Sequence, residues 1–160
     1  MAKVTVLGIG NILMGDEGVG VRLLESVQNA RDWPSDVEFV DGGVGGLSLL
    51  SVIERAERLV VFDAADMGLE PGAARVILPE QVDIEADAGR MSLHQLPFAE
   101  TLELCRQHLK APADVRILAI QVDSVDEGLT LSPPIQASFT SLRRQAIELI
   151  EQNLRNGDIT

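Results

Sequence analysis

Residues 4–21 read VTVLGIGNILMGDEGVGV, a short apolar strand that runs into a glycine-rich turn and then into the start of a helix. Turns that bind phosphate have the same order, and they aim backbone N–H groups at the anion. Here Asp16 and Glu17 stand where the helix begins, and their negative charges would repel an anion. The stretch therefore predicts an α/β fold with a cation site beyond its first strand.

The apolar pattern that follows continues the alternation of strands and helices. It predicts a helix from about residue 18 to 30, a strand over 37–40, a helix over 47–53 and a third strand over 59–62. This β-α-β-α-β order predicts parallel strands joined by right-handed crossovers. We therefore expect an α/β domain with helices on both faces of its sheet.

The second half of the sequence is less regular. A turn signal at Pro71-Gly72 leads directly into an apolar stretch at 74–78, so we expect this fourth strand to run antiparallel to the others. Helical spacing then marks residues 98–109, and an apolar run predicts a fifth strand over 115–122. Pro133-Pro134 is typical of a helix start, and a long final helix follows it.

Composition limits the classes of partner. Residues 1–160 are expected to form one domain, because a hydrophobic content of 46% suffices for a single core. The net charge of −12 disfavours nucleic acid and anionic membranes and favours a neutral or basic protein partner. No apolar run approaches the roughly 20 residues of a membrane helix. The single cysteine, Cys105, cannot form an internal disulfide, so we expect a cytoplasmic location.

Candidate site residues follow the predicted strands. Glu17, Asp41 and Asp63 each come after a strand end, where ligands bind in open α/β sheets. Carboxylates gathered there would repel each other, so a cation is expected between them. If the fourth strand runs backwards, residues 80–93 are long enough to return His94 to the same edge. A Glu–Asp–His set leaves coordination positions open, as catalytic metal sites do, but does not select among Zn, Ni, Co and Mn.

Each candidate also has a purely structural interpretation. Asp16 and Glu17 could complement the helix dipole, and Asp41 before two glycines could stabilise a turn. Asp63 could cap a turn, and a lone His94 ahead of a helix is commonly a hydrogen-bonded structural residue. The metal hypothesis is favoured because the candidates converge on one predicted edge.

Four sequence pieces occur in a characteristic order: GIGNIL with DEGVG within residues 8–20, DGG at 41–43, FDA at 62–64 and HQL at 94–96. Together they resemble the hydrogenase maturation proteases, the nickel-dependent endopeptidases that process the large subunit of [NiFe] hydrogenases. The resemblance covers the first hundred residues by motif and the remainder by overall pattern. It implies a three-layer α/β/α sandwich on a five-stranded, mostly parallel sheet.

The resemblance also implies a site and a substrate. Glu17, Asp63 and His94 match the nickel-contacting residues of the family, and the chain would remove a C-terminal extension from the large-subunit precursor. The nickel would arrive bound to that precursor, so the isolated protease need not carry it. We hypothesise that these residues complete the nickel coordination, with Asp41 as a general base or substrate-orienting group. Whether hydrolysis is metal-assisted or of the aspartic type stays open.

Two other functions compete with this hypothesis. A Rossmann-type nucleotide binder would also place Gly8-x-Gly10 after a strand, but Leu13 occupies the position of its third glycine. A non-enzymatic nickel-delivery partner could use the same ligands. The oligomeric state is left open by the sequence, with a monomer as the working expectation.

Overall fold

The computed structural model describes residues 4–46, 48–79, 82–83, 91–92 and 98–157. The strands are β1 (Val4–Ile9), β2 (Val37–Gly43), β3 (Arg58–Ala65), β4 (Ala74–Ile77), β5 (Val82–Asp83), β6 (Met91–Ser92) and β7 (Asp114–Gln121). The helices are α1 (Val19–Asn29), α2 (Leu49–Arg55), α3 (Phe98–His108) and α4 (Pro133–Gly157), and a 3-10 turn, Gly15–Gly18, precedes α1.

Five strands form the main sheet in the order β2-β1-β3-β7-β4. The first four are mutually parallel, whereas β4 pairs antiparallel with β7. This confirms the prediction of a mostly parallel sheet with one antiparallel strand. The separate pair of β5 with β6 was not predicted, because strands of two residues are too short to show a periodic pattern.

Helices cover both faces of the sheet, which confirms the three-layer sandwich. The core between the sheet and helices α1 and α4 includes Val6, Phe62, Ile120, Leu23 and Leu149. The core on the opposite face, under α2 and α3, includes Leu7, Val61, Ile117, Ile53 and Leu102. All six residues of β1 are buried, as expected for a central parallel strand covered on both sides.

The second strand is longer than the sequence predicts. It continues past Val40 as far as Gly43, and its pairing with β1 becomes irregular at this end. Gly8 lies opposite Asp41, but the next residue, Ile9, lies opposite Gly43. The extra residue, Gly42, marks a β-bulge of the kind often found beside active sites.

The length and apolarity of the helices show whether any of them could span a membrane. Within the described ranges, no helix is both long enough and apolar enough to cross a bilayer.

Candidate active site

The candidate site lies where the strand order changes direction. Strand β1 lies between β2 and β3, so the chain first moves to one side of β1 and then to the other. Crevices at such switch points, beyond the carboxyl ends of the strands, are the usual ligand sites of open α/β sheets. Glu17 lies in the turn after β1, and Asp63 lies near the carboxyl end of β3. The structure therefore brings these two predicted residues to neighbouring positions.

Two glycines allow the turn that carries Glu17 to lie directly on the sheet. Gly10 has a φ of +145°, and a Cβ at this position would lie 1.9 Å from the Glu17 carbonyl oxygen. A Cβ on Gly20 would lie 2.3 Å from the carbonyl oxygens of both Ile9 and Phe62. No side chain fits either gap, so the glycines are needed for the close approach.

Asp63 is a buried acid with incomplete hydrogen bonding. The residue is 4% exposed, and its Oδ2 atom has no hydrogen-bond partner among the described residues. Burial raises the pKa of the Asp63 carboxyl to about 8. Backbone N–H groups of Ala64 and Phe98 oppose this shift with hydrogen bonds, and the negative charge of Glu17 adds to it.

Such a carboxyl group is suited to a cation. Leaving a buried polar atom without a partner costs about 1–3 kcal/mol, and the cost is larger for a charged group. A cation between Asp63 and Glu17 would remove this cost and displace the proton from Asp63. The oxygen without a partner among the described residues and the raised pKa are therefore compatible with a metal ligand.

Asp16 has a different role from the one its position in the motif predicts. The side chain is fully buried, and both of its carboxylate oxygens already accept hydrogen bonds from protein groups. Its Oδ2 accepts hydrogen bonds from Asp123 N (2.9 Å), Ser124 N (2.9 Å) and Ser132 Oγ (2.7 Å), and its Oδ1 accepts one from Ser132 N (2.7 Å). Burial alone would raise the pKa of Asp16, but these bonds outweigh it and hold the pKa below its usual value. The predicted pairing of Asp16 with Glu17 at a cation is therefore wrong for Asp16.

Backbone hydrogen bonds join the same two loops. Gly15 N donates to Gly128 O (2.9 Å), Asp16 N donates to Ser124 O (2.9 Å), and Gly128 N donates to Leu13 O (2.8 Å). With the bonds to the Asp16 side chain, they fix the Glu17 turn against the loop between β7 and α4. The contact between this loop and the Glu17 turn was not predicted from the sequence, because the two lie more than a hundred positions apart.

Asp41 lies at the same edge of the sheet but on the other face. Val37 and Phe39, its neighbours at alternate positions, pack on the α1 and α4 side, whereas Val61 and Ala65 beside Asp63 pack on the α2 and α3 side. The exposed Asp41 side chain accepts a hydrogen bond from Gly43 N (2.8 Å), as in an Asx turn. It also lines a surface groove together with residues of α1 and of the β1–α1 turn.

His94 lies outside the described residues, so its predicted place beside Glu17 and Asp63 stays a prediction. Among the residues that the structure describes, no group of three or more acids, histidines and cysteines is arranged to hold a metal. The described part of the site is thus a pair, Glu17 and Asp63.

Fold and site together define a class: an α/β/α sandwich with a pair of acids at the switch point of its sheet. Residues 21–150 match the family model described as hydrogenase maturation protease. A relative from Bradyrhizobium diazoefficiens, the hydrogenase expression/formation protein HupD, is 40% identical over 135 residues, covering 84% of this chain and 70% of the relative. The chain belongs to the hydrogenase maturation protease family.

Solved structures agree with this assignment. The hydrogenase maturating endopeptidase HybD from Escherichia coli aligns with a TM-score of 0.77 at 28% identity, covering 98% of this chain and 93% of that one. The hydrogenase 3 maturation protease aligns with a TM-score of 0.68 at 29% identity, covering 91% and 89%. The protein is therefore an endopeptidase, and the nucleotide-binding and purely nickel-delivering alternatives are set aside.

Proposed function

We propose that this endopeptidase removes the C-terminal extension of a [NiFe] hydrogenase large-subunit precursor after nickel insertion, and that it recognises the nickel held by the precursor. The observation that supports this most directly is the buried Asp63 carboxyl beside Glu17, one oxygen of which has no hydrogen-bond partner among the described residues. In this proposal Glu17, Asp63 and His94 contact the nickel, which belongs to the substrate. The protein acts as a monomer in the cytoplasm, where its free cysteine stays reduced.

The two described acids would contribute in different ways. Glu17 is exposed and can reach an incoming precursor, whereas Asp63 is buried and holds a proton at neutral pH. An arriving cation would release that proton and draw both carboxylates onto itself. A precursor without nickel would leave Asp63 protonated and would gain nothing from the pair. Recognition of the metal thus becomes the condition for cutting.

Binding at this pair would also place the scissile peptide. Fixing the nickel and its cysteine ligands holds the adjacent peptide bond in one position, which lowers the entropy cost of the reaction. The nickel would supply a positive charge that polarises a carbonyl group or a water molecule.

Asp41 is the weaker member of the proposed machinery. One of its carboxylate oxygens accepts the hydrogen bond from Gly43, and its side chain faces away from Asp63 across the sheet. This position favours the substrate-orienting role over that of a general base acting at the nickel. We therefore propose that Asp41 contacts the C-terminal extension of the precursor and does not activate the attacking water.

Mass spectrometry of the precursor tests the proposal. Purified precursor, with or without nickel, is incubated with the protein, and we expect a shortened product only from the nickel-loaded form. Glu17→Gln and Asp63→Asn should each slow processing by about 100-fold or more while the fold stays intact. The matched control is Glu148→Gln, which replaces an exposed acid on α4 and should process at the wild-type rate.

The outcomes separate the parts of the proposal. Equal cleavage of nickel-free and nickel-loaded precursor would overturn nickel recognition. Full activity of a variant with Glu17→Gln, Asp63→Asn and His94→Ala combined would overturn the site.

A further inference from the structure

A groove lies beside the candidate site, on the opposite face of the sheet. It has a volume of about 310 Å³ and runs between the β1–α1 turn, helix α1 and the end of β2. The side chains that matter most for its chemistry are Ile12, Leu13, Val44, Glu25 and Asp41.

The rim of the groove is unusually apolar for a surface. Ile12 is 42% exposed, Leu13 is 56% exposed and Val44 is 78% exposed. Large apolar side chains grouped in this way, with polar residues around them, are typical of surfaces that bind another protein. Glu25 and Asp41 add two carboxylates, so a bound segment should carry a positive charge near its apolar side chains.

The groove is continuous with the candidate site through one residue. Gly10 N donates a hydrogen bond to Gly43 O (2.7 Å) at the floor of the groove, while its Cα lies against the backbone of Glu17. Asp41 and Phe62 lie opposite the same residue of β1, so two strand spacings, about 10 Å, separate β2 from β3 here. An extended peptide covers this distance in about three residues.

We propose that the groove binds the C-terminal extension of the precursor, about three to five residues beyond the cut, and selects an apolar side chain next to a basic one. This inference depends on the proposed function. The part of the precursor before the cut is held through its nickel at Glu17 and Asp63. The extension is the part that can lie across Gly10 into the groove.

Steady-state kinetics with nickel-loaded precursor test the groove. Val44→Asp and Glu25→Lys alter exposed groove side chains, and each should raise KM about tenfold with kcat unchanged. The matched control is Val76→Asp on β4, at the far edge of the sheet, where a valine is 46% exposed. That variant should leave both constants at their wild-type values. A precursor whose basic extension residue is changed to Glu should be processed better by Glu25→Lys than by wild type.

Binding of a fluorescent synthetic peptide of the extension separates this inference from the proposed function. Wild type and Glu17→Gln should bind the peptide equally, whereas Val44→Asp should bind it about tenfold more weakly. Unchanged KM and peptide affinity in both groove variants would overturn the inference while leaving nickel-dependent cleavage standing. Peptide binding to the groove without any cleavage of nickel-loaded precursor would instead contradict the proposed function. Self-association of the protein that Val44→Asp abolishes would assign the groove to a second copy and overturn the inference.

Discussion

Asp16 and Asp63 are both buried carboxylates at the same edge of the sheet, yet their surroundings are opposite. Four hydrogen bonds reach Asp16 from the loop between β7 and α4, and they hold its pKa below the usual value. Asp63 has an oxygen without a partner among the described residues, and burial raises its pKa to about 8.

We propose that this difference separates a structural acid, Asp16, from a functional one, Asp63. A buried carboxylate surrounded by donors is stable when ionised and contributes to the fold. A buried carboxylate with too few donors for both of its oxygens destabilises the fold when ionised, unless a ligand neutralises it. Burial alone would have grouped the two acids together, whereas the count of donors distinguishes them.

The largest expected effect is on the pH dependence of stability at Asp63. This carboxyl titrates near 3.8 in the unfolded chain and near 8 in the folded one, so wild type loses stability as pH rises between these values. The loss has a slope of up to about 1.4 kcal/mol per pH unit. The asparagine in Asp63→Asn does not titrate. The free energy of unfolding of this variant, relative to that of wild type, should therefore increase by roughly 4–6 kcal/mol from pH 4 to pH 8 and then level off.

Urea denaturation across this pH range measures the effect. Glu148→Gln, at an exposed position, should show no such profile. A constant difference between Asp63→Asn and wild type would mean that Asp63 is ionised in the folded protein.

Replacing Asp16 should destabilise the fold, whereas replacing Asp63 should stabilise it above pH 4. Asp16→Ala leaves the donors on Asp123, Ser124 and Ser132 unpaired and should destabilise the fold by about 3–5 kcal/mol. The control is Glu127→Ala, an exposed acid on the same loop, with an expected change within about 0.5 kcal/mol. If chemical denaturation finds the two variants equally stable, the hydrogen bonds to Asp16 do not stabilise the fold.

Ser132 offers a milder test of the same hydrogen bonds. Ser132→Ala removes the hydroxyl donor to Asp16 and keeps the backbone donor, so a loss of about 1–2 kcal/mol is expected. Thr130→Ala changes an exposed residue two positions earlier and should be nearly neutral. Thermal unfolding of both variants would show whether the donors act singly or only as a set.

The smallest expected effect is electrostatic. The charge of Glu17 helps to raise the pKa of Asp63, so Glu17→Gln should lower that pKa. The carbon-13 shift of the Asp63 carboxyl, followed over pH by NMR, reports the change directly. Glu127→Gln serves as the comparison and should leave the titration in place. An Asp63 titration unaffected by Glu17→Gln would mean that the two acids do not interact in solution.

Much of the fold could be predicted because its signals are local. The apolar run at 4–7 predicts a buried strand, which the structure extends to Ile9, and the helical spacing after Gly18 predicts α1. The antiparallel β4 follows from Pro71-Gly72, since no helix intervenes to return the chain. Of the candidate site, the rule that ligands bind beyond parallel strand ends indicates the edge of the sheet at which Glu17 and Asp63 lie, although Asp63 is still part of β3, which continues to Ala65.

The role of Asp16 and the face of the sheet on which Asp41 lies could not be predicted, because both depend on distant parts of the chain. The partners of Asp16 lie 107–116 residues away, and nothing in the motif itself indicates them. Alternation along β2 places Asp41 with Val37 and Phe39, but the side of the sheet is known only once the helices have packed. Short-range sequence patterns thus predict the helices and strands, whereas the roles of these side chains depend on contacts between distant residues.

The hydrogen bonds between Asp16 and the loop before α4 have a consequence for synthesis. The turn that bears Glu17 emerges from the ribosome early, but Ser132, which anchors the turn through Asp16, is made 116 residues after Asp16. Contacts of such long sequence separation form late. A nascent or truncated chain ending before Ser132 would therefore expose the carboxylates without holding them in place. The anchored arrangement of the Glu17 turn can therefore form only after Ser132 has been made.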